Sequence, residues 1–525
     1  MGLRGVALLP FVLVALLLAT HPNADAQFQQ RVRYERGQTN SDNAWALVPM
    51  KEHGLALVRD KEKYRNGLRL HEVILLDTAL HETDSLELEL PNRLNMVGYD
   101  YANASLYLLF REGETDDGDL SLVTITLATK AVHRTEIKHE FTLKLTHFWV
   151  VGPNIALGGY ANREPAVLLY QPQAEQLKVV PGFFTSETEL LDLRPNQNNT
   201  FNTLTVNRTQ RAEKKLVLRT FDQDGVQLLE DQIDIDDDKT VLSGLTSSLL
   251  RDELMVTGTY TVGTSRQASG VFSVMVDPFR SQPVNYYDFA QLPHALDFMS
   301  AKRAFKITEK SRRDRLHGRN PDYRCYAASV RLDEYSEGFL LLTELYNLSS
   351  GMNSYPYQGN PYATPYGYYP FTPYASRFYN SPYSYYNQLQ NSEVTVLQSL
   401  VVSFDAEGKV DWGHSLKLEG KRKAALEQAS DFWATTDKIV IATKKESEIL
   451  VKARFKNDEV QADTLAVLLK EPHEVVRNES KDDEGIRFWY DHFFYVWGYQ
   501  AVKDPLIVNS ERTRSVFYVV KLDVR

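Results

Sequence analysis

Two short stretches set an acid beside an imidazole, Asp491-His492 and Asp411-Trp412-Gly413-His414, the pairing that general acid–base chemistry uses. Both sit in or beside strand-like apolar runs, which gives each a structural reading. Asp234, Asp236 and Asp238 have the one, three, five spacing of a calcium loop. Lys239, however, stands where that loop needs glycine and Leu245 where it needs a bidentate Glu, so the stretch reads as a solvated acidic turn. The single cysteine, Cys325, can form neither an intrachain disulfide nor a cysteine-based zinc site. A Gly-rich phosphate loop, His-Glu-x-x-His and a Gly-x-Ser-x-Gly elbow are all missing. The sequence therefore assigns no catalytic residue, no metal and no cofactor, and it names no reaction.

Two segments carry binding chemistry instead. From 355 to 386 the chain packs eleven of its 29 tyrosines among prolines, with Arg377 as the only charge. Tyr355, Tyr357, Tyr362, Tyr366, Tyr368, Tyr369, Tyr374 and Tyr379 are candidate partner contacts with Arg377, because tyrosine offers a large amphipathic surface that loses little rotamer entropy on ordering. Repeated Pro-Tyr steps favour extended, turn-rich backbone, suited to stacking on sugars or presenting aromatics to a protein, or to a passive low-complexity spacer.

The second segment, between residues 302 and 324, sets Lys302, Arg303, Lys306, Lys310, Arg312, Arg313, Arg315, Arg319 and Arg324 against Glu309, Asp314 and Asp322. Lys302, Arg303, Arg312, Arg313 and Arg315 are its candidate contacts for an anionic partner. A part-helical, solvated loop held down by Leu296 and Met299 is the plainer reading. With a formal net charge of −10 and a pI near 5.7, the chain as a whole is a poor match for nucleic acid.

Arg4, the apolar stretch from Val6 to Ala19 and the small-residue pattern Ala24-Asp25-Ala26 read as a secretory signal peptide over residues 1–26, cleaved before Gln27. That stretch is shorter than the roughly 20 residues that cross a bilayer core, so a soluble exported chain is expected, periplasmic or extracellular. Five Asn-x-Ser/Thr sequons, at Asn103, Asn198, Asn207, Asn347 and Asn478, matter only if the source glycosylates what it exports. Without disulfides the fold must rest on its core, which a chain of about 500 residues can bury.

Strands must position these segments. Leu86-Glu87-Leu88-Glu89-Leu90 and Val123-Thr124-Ile125-Thr126-Leu127 alternate with period two, and long runs at helical spacing are nearly absent. One apolar strand recurs at Leu55, Ser105, Ile155, Phe201, Leu254, Phe339, Ile439 and Phe493, at intervals near 50 residues with two exceptions. One long interval holds the basic segment 294–325 and the other the Tyr-rich segment 351–390. Removing both restores the repeat, so both read as insertions in a single domain spanning 27–525.

Within the repeat, Thr220-Phe221-Asp222-Gln223-Asp224-Gly225 and Ser403-Phe404-Asp405-Ala406-Glu407-Gly408 occupy one slot, the hairpin between third and fourth strands, with Phe455-Lys456-Asn457-Asp458 as a weaker echo. Units of about 50 residues holding four short strands resemble the blades of the β-propeller superfamily. The resemblance is architectural and covers nearly all of residues 27–525. WD40 and kelch marks are missing, and Ser403–Gly408 departs from the Asp-box pattern in placing its glycine one position late, so no residue role carries over. It implies an all-β ring of eight blades, seven being the alternative count. Arg31-Val32-Arg33-Tyr34 would pair with the C-terminal strand Ser515–Leu522 to close the ring and remove exposed edges.

Antiparallel blades put the loop from second to third strand on the same rim as the connection between blades. The two insertions should therefore emerge side by side, on the face where a partner would bind. Three readings follow: an exported non-catalytic propeller binding a protein or surface polymer, a carbohydrate-active enzyme with its acids at the channel mouth, and a structural component of an envelope assembly.

Overall fold

The computed structural model describes residues 28–525 except 40–41, 114, 163, 184–187, 208–213, 278, 280–281, 349–393, 424–425, 481–483 and 508–512. Its strands form eight antiparallel sheets, seven of four strands in chain order and one that joins the two ends of the described chain. Eight blades stand, and the seven-blade count is excluded. The eight recurring apolar runs are the second strands of the eight blades, from Leu55–Arg65 in blade 1 to Phe493–Lys503 in blade 8.

These runs are mostly apolar and buried because a propeller strand is covered on both faces. In blade 1, Leu55 and Leu57 pack into the core shared with blade 8, whereas Ala56 and Val58 pack into the core shared with blade 2. Eight hydrophobic cores result, one at each blade boundary around the ring. Outer strands keep the half-buried alternation: in Glu82–Pro91, Leu88 and Leu90 are buried while Glu87 and Glu89 face solvent.

Both Asp-Gly hairpins have the expected geometry. Gly225 and Gly408 take φ of +81° and +74°, a conformation that favours glycine. Asp222 and Asp405 each accept two backbone N–H bonds across their own turn. Blade 1 builds the same turn from Asp77, with Leu80 at positive φ, a repeat the glycine pattern does not reveal.

Blade 8 closes the ring. Its outer strand is the N-terminal Gln29–Gly37, paired antiparallel with Thr513–Asp523 from Gln29↔Asp523 to Gly37↔Val516. Arg31 bonds Asp523 and Arg514 bonds Glu35 across this seam, and Phe28 is buried between blades 7 and 8. The inner strand of blade 8 is broken into Val475–Glu479 and Gly485–Tyr490, both paired with Phe493–Lys503.

An α-helix, α1 (Ala301–Leu316), lies in the connection between the outer strand of blade 5, Asn285–Asp288, and the inner strand of blade 6, Tyr326–Tyr335. Among the described residues no helix is long and apolar enough to cross a membrane.

Candidate functional site

The rim formed by connections between blades and by the loops from second to third strands carries α1. Ala304 and Ile307 on its inner face join the blade 5–blade 6 core beside Leu296 and Met299. A polar cluster of the buried Asp288, Ser311 and Tyr323 with the exposed Arg315 fixes the rest. Asp288, the last residue of the outer strand of blade 5, accepts from the Tyr323 hydroxyl, from Arg315 Nη1 and from the Ala290 N–H at 2.9 Å. Ser311 Oγ lies 2.9 Å from the Tyr323 hydroxyl and accepts a 2.9 Å bond from Arg315. Burial, then the bond to Asp288, pushes the Tyr323 hydroxyl well above its ordinary range, so it remains a donor.

The connection also grips blade 6. Gln398 Nε2 donates to the carbonyls of His294 and Ala295 at 3.0 and 3.1 Å, and Ser415 Oγ donates to Asp297 at 2.9 Å. Burial pushes the Asp297 carboxyl up, but hydrogen bonds from His294 and Ser415 outweigh it and hold the group below the usual carboxylate range. Leu348 and Val394, the last and first described residues around the Tyr-rich segment, pair directly on adjacent strands. The segment thus leaves and re-enters blade 6 at one place, four residues before Gln398. Its candidates Tyr355, Tyr357, Tyr362, Tyr366, Tyr368, Tyr369, Tyr374, Arg377 and Tyr379 lie outside the described residues, as does the proposed leader.

The basic candidates divide by what holds them. Arg315 is engaged by Asp288, Arg312 pairs with Glu309 at 3.1 Å, and Arg319 and Arg324 pair with Asp314 and Asp322 at 3.4 and 3.3 Å. Lys302, Arg303, Lys306, Lys310 and Arg313 are exposed, with no carboxylate within ion-pair distance among the described residues. At 100° per residue, Lys302, Lys306 and Arg313 share the outward crest of α1, while Arg303 and Lys310 share one flank. The inward face holds Ala304, Ile307, Ser311 and Arg315. A local sequence count cannot make this division, because Asp288 lies 27 residues from Arg315.

The other chemical candidates are structural. His414 is fully buried, with its Nε2 2.9 Å from the Lys452 carbonyl, and burial and then the neighbouring Lys452 and Arg454 charges push its pKa down to about 3. Asp411 turns away to pair with Lys456 at 2.8 Å. His492 contacts Asp491 at 2.8 Å and its ring centre lies 4.0 Å from that of Phe493 at a tilt of 43°, at the seam where the propeller closes. Asp236 and Asp238 are exposed in a turn, and no group able to hold a metal ion occurs among the described residues. Burial pushes the Cys325 thiol up to about 12, far from a reactive thiolate.

Sequence reasoning missed a set of buried acids that tie one blade to the next. Asp100 of blade 2 accepts the Val150 N–H of blade 3 at 2.8 Å, and Asp192 of blade 4 accepts the Thr246 N–H of blade 5 at 2.8 Å. Asp431 of blade 7 accepts the Phe488 N–H of blade 8 at 2.9 Å while bonding Arg331 of blade 6 at 2.7 Å. Glu344 of blade 6 accepts the N–H groups of Ala429 and Ser430, each at 2.9 Å, where blade 7 begins. Burial raises Asp100 to about 6 and Glu344 to about 7, against the lowering effect of those N–H donors. A signal was present in Tyr99-Asp100-Tyr101, Leu191-Asp192-Leu193 and Ser430-Asp431-Phe432, where an Asp sits inside an otherwise strand-like run.

No family model and no curated protein matches this sequence. Solved structures of similar fold include the β-propeller domain of the Trilobed protease from Pyrococcus furiosus, at 10% identity and a TM-score of 0.35, covering 82% of this chain and 93% of that one. The polysaccharide lyase Uly1 is similar at 7% identity and a TM-score of 0.39, over 95% of this chain and 100% of that one. A prolyl endopeptidase is similar at 9% identity and a TM-score of 0.38; the match spans 91% of this chain and about half, 54%, of that one.

Proposed function

We propose that this protein is an exported, non-catalytic β-propeller that binds a protein or surface polymer through the rim bearing both insertions. The observation that carries the reading is the five exposed cations of α1 that have no carboxylate partner among the described residues, on a helix whose inner face is locked by Asp288, Ser311, Arg315 and Tyr323. A rigid scaffold presenting unneutralised charge on an acidic protein is suited to capturing an anionic partner. The Tyr-rich segment, attached between the paired Leu348 and Val394, would add aromatic contacts on the same rim. Export is supported by the leader-like residues 1–26, which precede the closing strand that begins at Gln29. The inter-blade bonds of Asp100, Asp192, Asp431 and Glu344 favour a structural use of the buried acids over a channel-mouth active site. The test removes residues 351–390, and separately reverses Lys302, Lys306 and Arg313 to Glu, then compares copurifying partners and glycan-array signals with those of the intact chain. Loss of a partner or glycan is expected in at least one variant, with the thermal midpoint retained; unchanged capture in both, with the protein folded, sinks the reading.

A further inference from the structure

Beside α1 lies a cleft of about 190 Å³, walled on one side by the helix flank that carries Arg303 and Lys310 and on the other by residues 321–324. Ile307 and Pro321 supply apolar lining, and Asp314 and Asp322 supply carboxylates. We propose that this cleft is a subsite for one uronate residue of an acidic polysaccharide, and that the polymer continues along the crest of Lys302, Lys306 and Arg313. The inference rests on the rim being a binding face and names the class of its ligand.

Each component of the lining answers a part of such a residue. Arg303 and Lys310 have no carboxylate partner and are placed to receive an anion; Ile307 and Pro321 match the C–H face of a pyranose; Asp314 and Asp322 accept hydrogen bonds from hydroxyls. The acids also set the choice among polyanions. Asp314 and Asp322, paired with Arg319 and Arg324, offset two of the three cations in the lining (Arg303, Lys310 and Arg324), so the cleft suits one carboxylate among hydroxyls better than a ligand as densely charged as polyphosphate. Beyond the cleft, the crest cations span about 16 Å at the helical rise of 1.5 Å per residue, a track for an extended chain rather than a socket for one small ion. Phe305 and Leu316, both exposed, share a stripe on the opposite flank, so contact with a lipid surface is the competing outcome.

The experiment titrates the full chain with a short oligogalacturonate, its fully methyl-esterified counterpart, polyphosphate, and phosphatidylcholine vesicles containing phosphatidylglycerol. Oligogalacturonate is expected to bind with an affinity that falls as salt is added. The esterified form, which keeps rings and hydroxyls but loses charge, should not bind. Arg303→Ala with Lys310→Ala should weaken binding roughly tenfold. Lys409→Ala, an exposed cation on the opposite rim, should leave it unchanged. Equal binding of the esterified form, unchanged affinity in the double variant, or tighter binding of polyphosphate or vesicles through the same cations overturns the proposal. If a partner is captured in a manner dependent on 351–390 while oligogalacturonate does not bind, this inference fails and the binding-face reading stands. If the charge reversals and the deletion leave every signal unchanged, both fail.

Discussion

Glu344 offers a quantitative check on how the blades are joined. Its carboxyl is buried at the start of blade 7, accepting N–H bonds from Ala429 and Ser430 and a 3.2 Å bond from Ser430 Oγ. Burial, opposed by those donors, raises its pKa to about 7 from an ordinary value of 4.5. The folded state therefore holds this proton where the unfolded chain has released it, and stability falls as pH rises from about 4.5 to about 7. At about 1.4 kcal/mol per pH unit, moving from 4.5 to about 7 makes the full penalty roughly 3 kcal/mol, most of which develops between pH 5 and pH 8. Glu344→Gln keeps an acceptor for the two N–H groups and removes the ionisation. The variant should lose about 1 kcal/mol at low pH from its imperfect hydrogen bonding, yet overtake the wild type near pH 8. Urea unfolding followed by tryptophan fluorescence at both pH values measures the difference. If wild type and variant differ by the same amount at the two pH values, the carboxylate ionises without penalty and the account of this joint is wrong.

Three further outcomes follow from the same kind of contact. His414 should remain neutral, its imidazole resonances unshifted down to about pH 4, because the folded protein takes up that proton only near pH 3; since the unfolded chain protonates below about 6.5, this group subtracts stability as pH falls through that window, and titration near 6.5 would contradict its placement. Asp288→Ala removes the acceptor for Tyr323 and Arg315, and a local loss of about 2 kcal/mol should speed amide exchange in α1 about 30-fold while the global midpoint barely moves. At the ring seam, burial raises and the bonds from Arg525 and Arg31 more than offset, holding Asp523 at about 2. Its stabilising share is present above the ordinary value of 3.8 and lost as pH falls toward 2, so Asp523→Asn should deprotect Gln29–Gly37 at neutral pH, and equal exchange in variant and wild type would refute a role in closure.

Period-two alternation and a repeat near 50 residues depend on local chemistry, so they are legible in a single strand. Leu55–Val58 is apolar because both its faces are covered, and that requirement recurs in every blade whatever its neighbours are. The turns at Asp222–Gly225 and Asp405–Gly408 are equally local, since the Asp side chain bonds N–H groups two and four residues on. Blade 1 hides the same turn behind Leu80, because the backbone strain of positive φ in a residue other than glycine is borne by surroundings that composition does not display.

What the sequence alone determined is therefore the all-β class, the repeat near 50 residues, an N-terminal strand available for closure and the two segments that break the repeat; choosing eight blades over seven took the structure. All four depend on hydrophobic pattern and turn chemistry over a few residues. Only the tertiary structure decided which charges are free. Arg315 is engaged by Asp288, and Asp431 joins Arg331 to Phe488 across three blades, through partners brought close by the closing of the ring. Lys302, Arg303, Lys306, Lys310 and Arg313 carry the same charge as Arg315 in sequence but lie on the crest and one flank, away from Asp288. The difference is one of angle about a helix axis, set when Ile307, Ser311 and Tyr323 are buried against blades 5 and 6.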